Sequence, residues 1–159
     1  MQVPPEFLGP FIGSNVVAVL LVLVAWWRPT WARWTFSVVF LAAGVFNALT
    51  VRGEPEAYTS YAQWALLDAY RNFIQGSFSE HTAAFVTVIA AGQLLVGALL
   101  ALPRPWRDAG LAGAIVFLLA IAPLGAGSAF PATVVMALAV VLIAWSAPTG
   151  RERGRPSPT

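Results

Sequence analysis

The chain has no cysteine, no lysine, a single histidine and few charges of either sign. Without cysteine there are no disulfides, no thiolate nucleophiles and no Cys-ligated zinc or iron–sulfur clusters. One histidine, His81, excludes a multi-histidine metal or haem site within one chain. All nine basic residues are arginine, which removes a Schiff-base lysine and a P-loop lysine from consideration. Charged residues make up 10% of the 159, where a soluble domain carries ~25%. What is present instead is oil: 58% of residues are hydrophobic and the mean hydropathy is +0.74. The composition is that of an integral membrane protein, with the lipid bilayer as its first partner. The net charge of +2 is no nucleic-acid signal, because the arginines sit in short loops between apolar blocks.

The apolar blocks are long enough to cross a bilayer, which takes about 20 helical residues. They run over residues 7–27, 35–51 and 81–102. The stretch 111–145 is too long for one crossing, since it would make about 52 Å of helix. Its middle reads PLGAGSAFPA, whose prolines and glycines break helices. Two short spans, 109–125 and 129–146, follow. The expected fold is therefore an all-α polytopic membrane helix bundle with five transmembrane helices in a single domain, 1–146. The first block lacks a basic leader and carries Glu6, so it reads as a retained span and not a cleaved signal. The polar, Pro-rich tail 147–159 is expected to be disordered and cytoplasmic.

Charge sets the orientation. With the N-terminus outside, the cytoplasmic pieces hold Arg28, Arg33, Arg104, Arg107, Arg151, Arg153 and Arg155 against Asp108 and Glu152. The external pieces hold Arg52 and Arg71 against Glu6, Glu54, Glu56, Asp68 and Glu80. That asymmetry satisfies the positive-inside rule for a cell-membrane protein with N-terminus out and C-terminus in. Most of the seven tryptophans fall at span ends, as interface anchors do.

The chemistry gathers in one connector, around LLDAYRNFIQGSFSEH at 66–81. Glu54-Pro55-Glu56 is a plausible helix start and Gly76 a plausible stop. Between them Ala62, Leu66, Ala69 and Phe73 recur at helical spacing, opposite a stripe of Tyr61, Trp64, Asp68, Arg71 and Gln75. The pattern predicts an external interfacial amphipathic helix over 57–75. Two readings compete. In one, the helix lies flat on the membrane surface and its chemistry reflects only its contact with water. In the other, it roofs a pocket reached from outside. The second is motivated by Ser14, Asn15, Asn47 and Thr82, which fall in the outer halves of their spans, where polar side chains tend to face a cavity. The candidate ligand-binding residues are Asn47, Trp64, Asp68, Arg71, His81 and Gln93. Asn47 and Gln93 suit a ligand carbonyl such as that of a quinone head group; interhelical hydrogen bonding is their commoner use. The Gly9/Gly13 and Gly110/Gly113 pairs predict close helix packing.

From about Phe36 to Trp145 the order of features resembles the DoxX-like membrane family, small four-helix proteins with a polar insertion after the first core span. The pieces that carry it are AAGVFNALTVRGEPEAY and QLLVGALLALPRPWRDAGLAG. The latter looks like the family's E-L-x-x-G span followed by a short basic loop. Gln93 stands where the family has an acid, and Asn47 where it often has a base, so roles that need those charges do not carry over. The span 7–27 lies outside the four-helix core. The resemblance implies a membrane subunit or accessory of a redox system, with a quinone as guest and a redox protein as partner. Other classes stay open: a small-molecule transporter, motivated by PLGAGSAFPA; a scaffold with no ligand; and, with no recognisable motif behind it, a membrane enzyme using Asp68, Arg71 and His81. No catalytic or metal-binding residue is assigned.

Overall fold

The computed structural model describes residues 5–146, so the expectation for the tail 147–159 lies outside the described residues. Every regular element among them is helical. Five long helices, α1 (Pro5–Trp27), α2 (Pro29–Gly53), α4 (Thr82–Ala101), α5 (Trp106–Ile121) and α6 (Ala132–Trp145), alternate in direction. The short α3 (Asp68–Phe73) belongs to the connector. Helix α2 begins earlier than the span expected at 35–51. Pro29 at the first helical position pre-sets the backbone, and only Arg28 separates α1 from α2. The break expected near residue 125 is present as a 3₁₀ segment, Ala122–Ser128, with Gly125 at φ 68 and Ala129 left-handed at φ 60.

Small residues decide the packing. A Cβ on Gly97 of α4 would lie 2.9 Å from the backbone nitrogen of Leu41 in α2. The buried Ser37 hydroxyl donates to the Gly97 carbonyl at 2.7 Å, so α2 and α4 form the tightest pair. A Cβ on Gly110 of α5 would meet the Leu100 nitrogen of α4 at 2.8 Å, which fits the contact expected of that glycine. The close packing expected at Gly9 and Gly13 is not seen: a Cβ at either meets nothing within 4 Å among the described residues. Helix α1 lies mainly along α6, where Leu21 and Ala25 join Ala139, Val140 and Ile143 in the larger core cluster. Small interfacial residues let backbones approach and gain dispersion contacts, the main attraction left when solvent is itself apolar. At the Arg28 end of the bundle, Arg33 donates to the Leu100 carbonyl and lies 4.8 Å from the ring centroid of Trp34. Arg33 thereby satisfies a carbonyl that the end of α4 leaves open.

The outward surface is apolar on all five helices, with Val16, Val38, Val88, Val116 and Leu138 exposed. Pro29–Gly53, Thr82–Ala101 and Trp106–Ser128 are long and apolar enough to cross a membrane; Phe11–Trp27 and Ala132–Trp145 are apolar but shorter. The architecture is compatible with an integral membrane protein.

The continuous helix expected over 57–75 is not what forms. A 3₁₀ segment, Pro55–Trp64, is followed by extended backbone at Ala65 and Leu67, then α3, then a π turn at Ile74–Phe78 kinked at Gly76. At the break the Leu66 N–H donates to the Pro123 carbonyl at 2.8 Å and not to a carbonyl of its own segment. Arg71 then takes up carbonyls left by the break, reaching Ala62 at 3.4 Å and Ala65 at 3.2 Å. The expected apolar face does not survive as a face. Ala62 is buried, whereas Leu66, Ala69 and Phe73 are exposed.

Candidate functional site

Helices α4 and α5 touch where Gly110 and Gly113 meet Leu99, Leu100 and Val96. Toward the connector the facing residues become large, Phe85 and Ile89 against Phe117 and Ile121, and a cavity of about 380 Å³ occupies the space between. Helix α2 supplies Asn47 to it and the connector forms its roof. The size suits a small organic ligand, since such pockets run from about 300 to 1,000 Å³.

The walls are aromatic. Phe73 packs edge-on to Phe85 with centroids 5.3 Å apart, and Phe78 stacks on Phe85 at 5.6 Å. Such contacts hold a wall by about 0.5–1.5 kcal/mol each beyond simple burial. Tyr58, Tyr61 and Tyr70 also line the cavity, and they are all the tyrosines in the chain. Tyr58, Tyr61 and Trp64 are spaced by three, the period of the 3₁₀ segment that carries them, so they follow one another along one face. Their ring centroids step by 6.1 and 6.3 Å. The Tyr70 hydroxyl donates to the Ala120 carbonyl at 2.8 Å and ties the roof to α5.

The polar groups are organised as a directed chain. The Tyr58 hydroxyl donates to Asn47 Oδ1 at 2.9 Å, and Asn47 Nδ2 donates to Gln93 Oε1 at 2.7 Å. The Asn47 backbone carbonyl also lies 3.5 Å from the phenol oxygen, a second acceptor on the same residue. Gln93 is buried at 6% exposure, and its carbonyl oxygen is taken by Asn47. Its amide N–H₂, at the cavity wall, has no protein acceptor among the described residues. The chain thus ends on a donor. Burial raises the Tyr58 pKa above the usual phenol value, opposed by a hydrogen bond from Thr50. Burial, and then the neighbouring Tyr58, raise Tyr61 likewise. Both phenols therefore stay protonated near neutrality, and Tyr58 remains a donor.

Of the six candidate residues, Asn47 and Gln93 line the cavity and touch each other. Trp64 sits beside it in the roof, its ring 3.3 Å from where a Cβ of Gly127 would be. Asp68 and Arg71 form an exposed ion pair at 2.8 Å, outside the lining. His81 is exposed at the start of α4, its Nδ1 3.3 Å from the Ser77 carbonyl. No hydrogen bond or ion pair joins Asp68 to His81 among the described residues. Ser14 and Asn15 are satisfied locally by the Phe11 carbonyl, each at 2.9 Å. The sequence reading missed Tyr58, Tyr70, Phe85 and Phe117; the confinement of all three tyrosines to one connector was the available signal.

The arrangement can grip a flat apolar ring between aromatic walls and donate one hydrogen bond to an acceptor oxygen on it. Among the other lining hydroxyls, Ser128 is spent on the Gly125 carbonyl at 3.1 Å and Tyr70 on the Ala120 carbonyl. Comparison of the chain with protein-family models, with curated proteins and with solved structures gives no match.

Proposed function

We propose that the chain is a five-span protein of the cell membrane, N-terminus outside and C-terminus cytoplasmic, in which α2, α4, α5 and α6 form a DoxX-like core and α1 is an added span. Its role on this reading is that of a non-catalytic, ligand-binding subunit or accessory of a quinone-linked redox system, with a membrane redox protein as partner. The connector end faces outward, because the arginines of the opposite end satisfy the positive-inside rule. The observation that carries the ligand assignment is the chain Tyr58–Asn47–Gln93, ending on a free amide donor in an aromatic cavity. A quinone head group is flat, apolar and carbonyl-bearing, and so complements each of these features.

The test is tryptophan quenching by a benzoquinone added to the purified protein, with Trp64 as the reporter nearest the roof. Saturable quenching is expected, weakened about 3- to 10-fold by Gln93→Leu, the equivalent of one neutral hydrogen bond. Linear, non-saturating quenching in the unaltered protein would count against the assignment. A small-molecule transporter is the second reading, favoured by the broken segment, since Leu124, Gly127 and Ser128 line the same cavity. Flux into proteoliposomes that Gly125 and Gly127 substitutions leave unaltered would dispose of it.

A further inference from the structure

The cavity has a closed side and an open side. Toward the connector it is sealed by buried Ala62, Ile74 and Phe78. The Leu66–Pro123 hydrogen bond and the close approach of Gly125 to the Trp64 carbonyl hold that seal in place. Only two lining residues are exposed, Phe73 of α3, at 44%, and Ala120 of α5. The Tyr70–Ala120 hydrogen bond is itself exposed and spans the same edge. Around that edge the surface is apolar: Val116 and Leu119 on α5 are 67% and 49% exposed, and Val88 on α4 is 71% exposed. These are surfaces for hydrocarbon and not for water.

We infer that the cavity opens sideways into the bilayer, between α4 and α5 beneath Phe73. Its occupant is a lipid-phase molecule whose flat, acceptor-bearing head reaches Gln93 while a linear apolar tail stays in the membrane. This rests on the ligand reading given above and adds its route and the tail. The route decides specificity. If the mouth faced water, binding the head would drag the tail out of lipid, at roughly fourfold in affinity per methylene. Through a lateral mouth, the tail stays in hydrocarbon whether the head is bound or free. Ala120 is the small residue at the threshold, and a large side chain there obstructs the tail without touching Asn47 or Gln93.

The experiment uses the full chain in lipid nanodiscs and two probes: a dimethoxy-methyl-benzoquinone without a tail, and its decyl analogue. Both are titrated by tryptophan quenching, with concentrations expressed as membrane mole fraction. Dissociation constants within about threefold of each other are expected, against a loss above about 10⁵-fold for the decyl probe if the mouth faces water. Ala120→Trp is expected to weaken the decyl probe at least tenfold more than the tail-less probe. Val38→Trp, on the exposed face of α2, is expected to change neither and controls for surface bulk. Binding of the tail-less probe alone, or an Ala120→Trp effect equal on the two probes, overturns the lateral route while the ligand reading stands. If neither probe binds the unaltered protein, both fall.

Discussion

Gly125→Ala should separate the roof from the bundle. Gly125 has φ 68 and ψ −135, a region reserved in practice for glycine, so any Cβ there costs about 1–3 kcal/mol. The new methyl would also lie inside the van der Waals envelope of the Trp64 carbonyl oxygen. That oxygen belongs to the backbone, so no rotamer change relieves the clash; the connector must lift. Lifting it gives up the hydrogen bond from Leu66 N–H to the Pro123 carbonyl, worth about 0.5–1.5 kcal/mol net. The sum is about 1.5–4.5 kcal/mol. Reversible unfolding in mixed micelles would read the loss, and benzoquinone quenching would read the displaced roof as weaker binding. Gly127→Ala is the matched comparison. Its Cβ would sit 3.0 Å from carbons of the Tyr61 ring, a side chain that can give way, so a smaller loss is expected. If Gly125→Ala unfolds within about 0.5 kcal/mol of the unaltered protein, the usual range for a neutral surface change, the account of the roof is wrong.

Asn47→Leu and Gln93→Leu should each cost little stability, about 0.6 kcal/mol for a typical interhelical hydrogen bond, while both weaken benzoquinone binding; a loss of binding that merely tracked unfolding would contradict the division. Because burial raises the phenol pKa values in the folded state, the stability they contribute is fully present below about pH 10 and lost as pH rises through the folded values. A pH series of unfolding midpoints should therefore be flat in this respect to about pH 10, and Tyr58→Phe should flatten the fall above it. Gly110→Ala should destabilise by about 1–3 kcal/mol through overpacking against the Leu100 backbone, whereas Gly9→Ala, with open space around it, should not; equal unfolding of the two would refute the packing argument. Asp68→Ala should change stability by less than about 0.5 kcal/mol, as an exposed ion pair allows, and Arg71→Ala by more, because it frees the Ala62 and Ala65 carbonyls. Unfolding by denaturant would rank the two.

The helical class and the positions of the apolar helices were legible because an apolar run of about 20 residues admits few structures. The break after α5 was legible from Pro123, Gly125, Gly127 and Pro131. Asn47 and Gln93 were legible as candidates because amides among apolar neighbours need partners; that they are partners of each other in a cavity wall was not, since they stand 46 positions apart. The connector was misread for a physical reason. Its apolar residues do fall at helical spacing, but the chain is tied at Leu66 to Pro123, and a contact so distant in sequence leaves no mark on the local pattern. Asp68, Arg71 and His81 drew attention as charges in an oily chain. Yet the ion pair and the Arg71 contacts to backbone carbonyls serve the fold of the connector itself. Phe85 and Phe117 were invisible as site residues because an aromatic in an apolar helix carries no sign of what it faces.

On the membrane reading, the use of amides at this place follows from the cost of polarity in hydrocarbon. A carboxylate at position 93 would need a cation or a proton in a cavity whose lining holds no charged side chain, and desolvating that ion costs several kcal/mol. An amide carries a donor and an acceptor at once. One can be consumed by Asn47 and the other left for a guest, with no net charge to compensate. The phenol at Tyr58 sets which is which: by donating to Asn47 Oδ1 it turns Asn47 Nδ2 toward Gln93, and Gln93 then has only its N–H₂ to offer. Reach explains why tyrosine and not serine closes the chain, since the ring carries its hydroxyl from the connector to Asn47 on α2. Helix geometry completes the argument. Glycine at 110 and 113 lets α4 and α5 approach closely at one end, and at the other Phe85 and Phe117 line the cavity, so close packing and site formation share one helix pair.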